Sequence, residues 1–423
     1  MQIFESKKDL VQFWFSTVEK QDEKLTEAVK NIINDVRMRK DAALFDYTER
    51  FDGIKLNSIR VDKNKIKKAQ DALDFELKKI LTKAAENIKN YHRHQIPESW
   101  TETSENGITL GQHYSPVESV GIYVPGGRAV YPSTLLMNCI PAQLAGVPRI
   151  AITSPPGSDG NISPLILGCT SLFGINEIYA IGGAQAIAAM TYGTETVQQV
   201  VKIVGPGNKY VNEAKKQVFG KVGIDMPAGP SEMVILADET APVNYVIWDL
   251  IAQAEHDPDA KTLLITTSDS LLKQVQNNVK RFIEKTLRKE IVSQSLCNSG
   301  ALMYVASLSE GIDVINTIAP EHLEIMTKNP QNIVKKIRNA GAVFIGCYSP
   351  GAVGDYWAGP NHTLPTSGAA RFASPLNVLD FMKFTSITEY NRKAFEKSKN
   401  SIMAFARAEK LFAHAQSIEV RSE

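Results

Sequence analysis

Cysteine is scarce in this chain. Four cysteines occur in 423 residues, Cys139, Cys169, Cys297 and Cys347. They lie far apart and form no CxxC pair, which excludes a cysteine zinc knot and argues against a disulfide framework. Single cysteines in apolar surroundings read as core fillers. Net charge is nearly absent too: 47 Lys and Arg stand against 46 Asp and Glu, a formal +1. That balance excludes a surface built to bind a polyanion such as nucleic acid, and there is no acidic excess of the kind that keeps a chain disordered. Uninterrupted apolar runs stay short of the about 18 residues a membrane span needs. The opening segment MQIFESKKDLVQFWF carries an apolar patch but no basic leader followed by a long apolar stretch and a cleavage site, so a cytoplasmic location is expected. Two nucleotide fingerprints are also missing: neither GxGxxG nor GxxxxGK[ST] is present.

What is present is ordinary globular material, 43% apolar and 22% charged. Area scaling for this size gives a folded surface of roughly 16,000 Å² against roughly 68,000 Å² unfolded, so about three quarters is buried and two or three domains are expected. Residues 1 to about 95 read as helical, with apolar positions three and four apart over Leu25 to Tyr47 and Ile66 to Tyr91. The lysines around Lys63 to Lys68 read as a solvated helix face. From about residue 117 short β-rich runs alternate with small-residue helical stretches. The expected strands are Val120 to Val124, Arg149 to Thr153, Glu177 to Ala180, Lys202 to Val204 and Met233 to Ala237. A second series covers Thr262 to Thr266, Ala301 to Val305 and Val343 to Ile345. This rhythm predicts an α/β fold with two parallel-sheet domains, each with a ligand crevice at the carboxyl ends of its strands. Thr385 to His414 reads as a terminal helical region whose apolar side, Phe381, Phe384, Ile387, Phe405 and Leu411, closes a domain or reaches a second subunit.

Glycines cluster at strand exits: YVPGG (Tyr123 to Gly127), IGGAQAI, VGPGNKYV, PAGPSE and SPGAVGDYWAGPNHTLPTSG. Each alone reads as a tight turn. Together they point to a large ligand lying across a crevice, since glycine lets backbone approach a phosphate or ribose closely. The seven histidines can be weighed one by one. His92, His94 and His113 sit in polar context and read as surface groups. In AQAEHDP, Gln253 and His256 are three apart at a helix end and share a face; a capped helix end with an exposed His is the plain alternative. In APEHLE, Glu321 and His322 are adjacent after a Pro, an acid–base set at a loop or helix start, or simply a helix cap. Asp355 precedes His362 in a Gly-rich loop. Glu409 and His414 lie near a terminal helix end. These side chains propose a mixed nitrogen and oxygen metal site of the kind that suits zinc with substrate completing the shell. A metal-free α/β enzyme and a metal-binding interaction protein without turnover remain the alternatives.

The motifs YVPGG, GGAQAIAAMTYGT, VGPGNKYV, GIDMPAGPSE, AQAEHDP, APEHLE, GDYWAGPNHTLPTSGAARF and AEKLFAH, in this order, resemble the histidinol dehydrogenase family over essentially the whole chain. The resemblance implies two incomplete Rossmann-like domains with mostly parallel sheets, plus small helical terminal segments. The implied division is an N-terminal segment 1–25, a first α/β domain from 26–116 with 238–380, a second, cofactor-binding α/β domain 117–237, and a C-terminal segment 381–423 reaching the partner subunit. It also implies a zinc-dependent homodimer that oxidises L-histidinol to L-histidine through L-histidinal with NAD, in histidine biosynthesis. The zinc pattern falls on Gln253, His256, Asp355 and His414, the last resembling a ligand donated across the dimer. The catalytic pair falls on Glu321 and His322. Substrate contacts fall on Ser231, His322, His362 and Glu409 together with the zinc ligands, and NAD contacts on Tyr123, Gln185 and Asn208. GAARF stands where Thr is common after the Gly, away from every implied role. A related dehydrogenase of another small polar alcohol is the nearest rival; Glu409 separates them, because a carboxylate suits a cationic, imidazole-bearing substrate.

Overall fold

The computed structural model describes residues 1–16, 23–126, 130–227 and 229–422. Gly127 of YVPGG, Ala228 of PAGPSE, residues 17–22 of the expected N-terminal segment and Glu423 lie outside the described residues.

A six-stranded sheet has the order β1 (Gln2–Phe4), β11 (Gly300–Tyr304), β10 (Lys261–Thr266), β9 (Glu232–Ala237), β12 (His322–Met326) and β13 (Ala342–Ile345). All of its pairings are parallel. The central strands EMVILA and KTLLIT are buried at every position, as continuous apolar strands covered on both faces must be. Alternate residues of β9 feed two cores. Met233, Ile235 and Ala237 meet helices Val243–Ala254 and Asp269–Ile283, while Val234 and Leu236 meet Ile312 and Ile315 of helix Leu308–Ile318 and Trp14 of helix Lys7–Phe15. Helix Asp269–Ile283 owes its register to Leu271, Leu272, Val275, Val279 and Ile283 on one face, and its start to Ser268, whose Oγ accepts from Leu271 N–H at 3.2 Å.

A five-stranded parallel sheet has the order β6 (Ile178–Tyr179), β5 (Ile150–Thr153), β4 (Val120–Tyr123), β7 (Lys202–Val204) and β8 (Gly223–Ile224). The third sheet is antiparallel: β14 (Met382–Tyr390), β3 (Ile108–Pro116) and β2 (Trp100–Thr103). The α/β architecture with two parallel sheets is therefore as expected.

Its partition along the chain differs. Strand β9 belongs to the middle of the six-stranded sheet rather than to a domain 117–237, because it pairs with β10 and β12 on either side. The helices between Glu23 and His92 pack on the five-stranded sheet rather than on the six-stranded one. Val29, Ile32, Ile33 and Val36 of helix Glu23–Arg39 share a core with Ala184 to Met190, and Ile66, Leu81 and Ile88 share one with Val120 and Ile122. Thr385 to Tyr390 is strand, not helix: Thr385, Ile387 and Glu389 face β3 residues in a ladder that satisfies backbone groups a polar helix would satisfy alone. His92 is buried, not a surface group; its Nδ1 lies 2.7 Å from Gln95 Oε1 and burial lowers its pKa. Cys139 and Cys169 are buried as expected of core fillers, whereas Cys297 is exposed.

Candidate active site

Two clusters of the expected residues form, one on each parallel sheet. On the six-stranded sheet they gather at the amino ends of the strands, opposite to the expected carboxyl ends. Ser231 immediately precedes β9, and Glu321 and His322 open β12, which registers His322 beside Met233. The alternative of a helix cap at Glu321 does not hold, since a strand follows it directly. Helix Val243–Ala254 leaves the carboxyl end of β9 and returns, so Gln253 at its last turn and His256 just beyond it come back to the same end. His256 N–H donates to the Gln253 carbonyl at 3.2 Å.

The catalytic candidates are fixed by backbone. Glu321 Oε2 accepts from Glu232 N–H at 2.7 Å, and His322 Nδ1 lies 3.1 Å from the Glu232 carbonyl and 3.4 Å from Glu321 Oε2. A carbonyl can only accept, so Nδ1 carries the hydrogen and Nε2 is the nitrogen left for chemistry. The ring stacks on Phe344 at 6.0 Å. Burial alone would push the His322 pKa down, but the Glu321 carboxylate beside it, Asp355 and the Glu232 carbonyl outweigh burial and raise it to about 9. The turn Gly354–Ala358 presents Asp355, whose Oδ1 lies 3.8 Å from His362 Nδ1. His362 is pushed the other way, chiefly by burial, with the Asp355 carboxylate opposing and the neighbouring His322 and His256 adding to the downward push. Those mutual influences bring Glu321, His322, Asp355, His362 and His256 into one cluster.

Glu232 is a residue the sequence reading missed. Its backbone holds both catalytic candidates, and its buried carboxyl lies 3.7 Å from Lys261 Nζ. Burial pushes that carboxyl up to about 7, with Lys261 opposing and the Glu321 charge adding. The signal was a glutamate opening an otherwise apolar strand. Asp249 and Glu324 were also missed. Burial raises Asp249 to about 6, and burial plus the Asp249 charge raise Glu324 well above the carboxylate range.

On the five-stranded sheet the candidates do sit at the carboxyl ends. Tyr123 ends β4, and its hydroxyl accepts from Gly183 N–H at 3.1 Å; burial raises its pKa to about 12. Gln185 is buried within helix Gly183–Tyr192, folded back over Gly183 at φ +66°, where any Cβ would meet its Oε1 at 2.5 Å. Asn208 caps helix Lys209–Val218, its Oδ1 accepting from Tyr210 and Val211 N–H at 3.0 and 3.1 Å. The preceding Gly205 has φ +114° and a Cβ there would lie 2.2 Å from the Tyr123 carbonyl. Its N–H donates to Asp225 at 2.7 Å and its carbonyl accepts from Lys215 Nζ at 3.0 Å; Lys215 and Asp225 form a buried ion pair. The Gly-rich loop of Asp355 and His362 reaches this half of the molecule, where Asn361 Nδ2 donates to the Met137 carbonyl at 2.6 Å and Asn87 Nδ2 to the Trp357 carbonyl at 2.8 Å.

Glu409 and His414 stand apart. Both are exposed, at the end of helix Arg392–Ala408 and in helix Phe412–Glu419. These two helices pack on each other, and the first leans on β14. No group of three or more His, Cys, Asp or Glu placed to hold a metal ion occurs among the described residues.

A model of the histidinol dehydrogenase family matches residues 16–422. The chain belongs to that family. The histidinol dehydrogenase of Geobacillus kaustophilus is 51% identical over 407 residues, covering 96% of each chain. That of Bacillus subtilis is 49% identical over 399 residues, covering 94% of this chain and 93% of its own. The crystal structure of histidinol dehydrogenase from Elizabethkingia anophelis superposes with a TM-score of 0.94 at 40% identity, covering 100% of this chain and 98% of that one. The membership spans the cluster at β9 and β12, the Tyr123 region and the C-terminal helices alike.

Proposed function

We propose a division of labour among these residues in the reaction of the family, the NAD-dependent oxidation of L-histidinol to L-histidine through L-histidinal. The observation that carries it is the pinning of His322 Nδ1 on the Glu232 carbonyl, with Glu321 alongside. Nε2 of His322, in the neutral form of the ring, accepts the alcohol proton while hydride leaves the carbinol carbon for the nicotinamide. Water then adds to the aldehyde carbon. Glu321 accepts the proton this water loses while the carbonyl oxygen takes the proton held on His322 Nε2, leaving a neutral hydrated aldehyde. Nε2, having passed on its first proton, accepts one hydroxyl proton of the hydrate as the second hydride leaves, and the carboxylic acid formed ionises. One base serves both oxidations because each removes an O–H proton beside a departing hydride. Tyr123, Gln185 and Asn208 line the cofactor side; Ser231, His362 and Glu409 contact the substrate.

The donor set fits zinc. Gln253 is a buried amide whose terminal atom placed as Nε2 has no hydrogen-bond partner among the described residues; flipped end for end, the amide presents its oxygen at that unpaired position, where it can meet a cation. His256 and Asp355 supply nitrogen and oxygen. Bound zinc would supply a template for the amine and imidazole of the substrate. His414 would complete the set from a second copy of the chain, which accounts for its exposure here. The surface supports that assembly. The chain exposes 21542 Å², well above the roughly 16,000 Å² expected of a monomer this size. Phe384, Phe405 and Phe412 on the C-terminal elements are more than half exposed. No described helix is long and apolar enough to cross a membrane, and we place the enzyme in the cytoplasm.

The test is NADH formation from histidinol, with and without a chelator. Two NADH per histidinol, abolished by the chelator and restored by zinc, is the expected result. One NADH per histidinol, or indifference to chelation, overturns the reading.

A further inference from the structure

Lys215 and Asp225 have no part in the reaction described above, yet their side chains form an ion pair that is 0% and 4% exposed. Such a pair is a poor device for stability alone. Taking two charges out of water costs about what their attraction returns, and well-packed apolar residues of similar volume often do better. What apolar residues cannot do is donate and accept. Lys215 Nζ donates to the Gly205 carbonyl at 3.0 Å, and Asp225 Oδ2 accepts from the Gly205 N–H at 2.7 Å. Both backbone polar groups of one residue are thus held by the two ends of one ion pair.

That residue sits where two cofactor-side candidates meet. Gly205 follows β7, and a Cβ on it would lie 2.2 Å from the Tyr123 carbonyl at the end of β4. It starts the loop that ends at Asn208. Lys215 stands about two turns into the helix that Asn208 caps, and helical side chains lean toward the amino end, which brings its ammonium back to the loop. Asp225 follows β8, its own N–H donating to the Ile203 carbonyl at 3.2 Å. At the far end of the loop Asn212 Nδ2 donates to the Gly207 carbonyl at 3.0 Å.

We propose that Lys215 and Asp225 are positioning residues for the cofactor. Acting through Gly205, they fix the loop Gly205 to Asn208 against Tyr123, so that the Asn208 amide and the Tyr123 side chain keep one spacing toward NAD. The proposal rests on the reading of Tyr123 and Asn208 as NAD contacts.

The KM values for NAD and histidinol, with thermal unfolding, test it in four variants. Lys215→Met combined with Asp225→Leu leaves no charge behind but releases both groups of Gly205. Its NAD KM should rise about tenfold or more, on the order of one lost hydrogen bond. Its histidinol KM should stay within roughly twofold, since the candidate base stands on the other sheet. Asp225→Asn does the reverse. Its amide oxygen still accepts from Gly205 and Lys215 still donates, but the lysine loses its countercharge. It should unfold at a lower temperature while its NAD KM stays within roughly twofold. A purely structural pair would move NAD KM and stability together. Asn208→Ser is the comparator: the hydroxyl keeps the helix cap, the amide is lost, and the NAD KM should rise. If the double variant keeps the parent NAD KM while Asn208→Ser does not, the proposal is wrong and the contact reading stands. If Asn208→Ser keeps it, the contact reading fails, and the pair is judged on the split between NAD and histidinol KM in the double variant. If the double variant does not fold, Lys215→Met, assayed where tryptophan fluorescence shows it folded, releases the carbonyl alone; an unchanged NAD KM there overturns the proposal.

Discussion

A histidine that gives one ring nitrogen to a carbonyl can do proton chemistry only at the other. His322 is in that position through Glu232. His322→Asn should therefore depress both the histidinol and the histidinal half-reactions, by roughly 10²–10⁴ in kcat as for other general bases. Glu321→Gln should mainly slow oxidation of the aldehyde; equal losses in separate histidinol and histidinal assays would sink the division of roles. The same substitution has an electrostatic readout. In metal-free protein His322 holds its proton to about 9, above its ordinary 6.5, chiefly because Glu321 overcomes the effect of burial. A pKa raised on folding stabilises the folded chain fully below the ordinary value, and that contribution fades as pH rises through about 9. Removing the Glu321 charge should bring the imidazole titration down in an NMR pH series; an unmoved titration would mean that Glu321 is not what holds the proton. At this scale the sequence was informative about reactive side chains and silent about what holds them. Glu321 and His322 stand out as an adjacent acid and base. Glu232 does not, because its part is played by backbone groups every residue has.

At the scale of elements, legibility followed periodicity. The buried parallel strands β9, β10 and β11 announce themselves as apolar runs, and Ser268 with its apolar face announces a helix. Strand β14 does not. Its MKFTSITEY is half polar and exposed along most of its length, and the partner that makes it a strand, β3, lies far back in the chain. The allocation of β9 was invisible for a similar reason: which sheet a strand joins is decided by its neighbours, not by its own residues. The loop before Asn208 is held by a device that no motif reports. Lys215 and Asp225, both buried, grip the two backbone polar groups of Gly205. Breaking a buried pair on one side strands the other charge. Lys215→Met should cost roughly 3–5 kcal/mol of stability in denaturant unfolding. The double change Lys215→Met with Asp225→Leu should recover much of it, since no charge is left behind. A single variant as stable as the parent would show that the pair is not desolvated in solution.

At the scale of the molecule the residues proposed for the site lie in two places. His256, Asp355 and His322 gather at one end of the six-stranded sheet, while Glu409 and His414 are carried away on exposed helices. A twofold dimer would return them, because a self-complementary interface places each copy's C-terminal helices on the other. The motif AEKLFAH signals the residues but not whose site they serve. Complementation decides it. His322→Asn and His414→Asn should each be nearly inactive alone. Unfolded together, mixed equally and reassembled, they should form about half heterodimers by random pairing. In a heterodimer one site takes both of its defects and the other takes both intact residues. About a quarter of the parent activity should therefore return, while zinc should stay at about half the parent content, because His322→Asn keeps every proposed ligand. If His414 served its own chain, every site in the mixture would carry one defect and no activity would return.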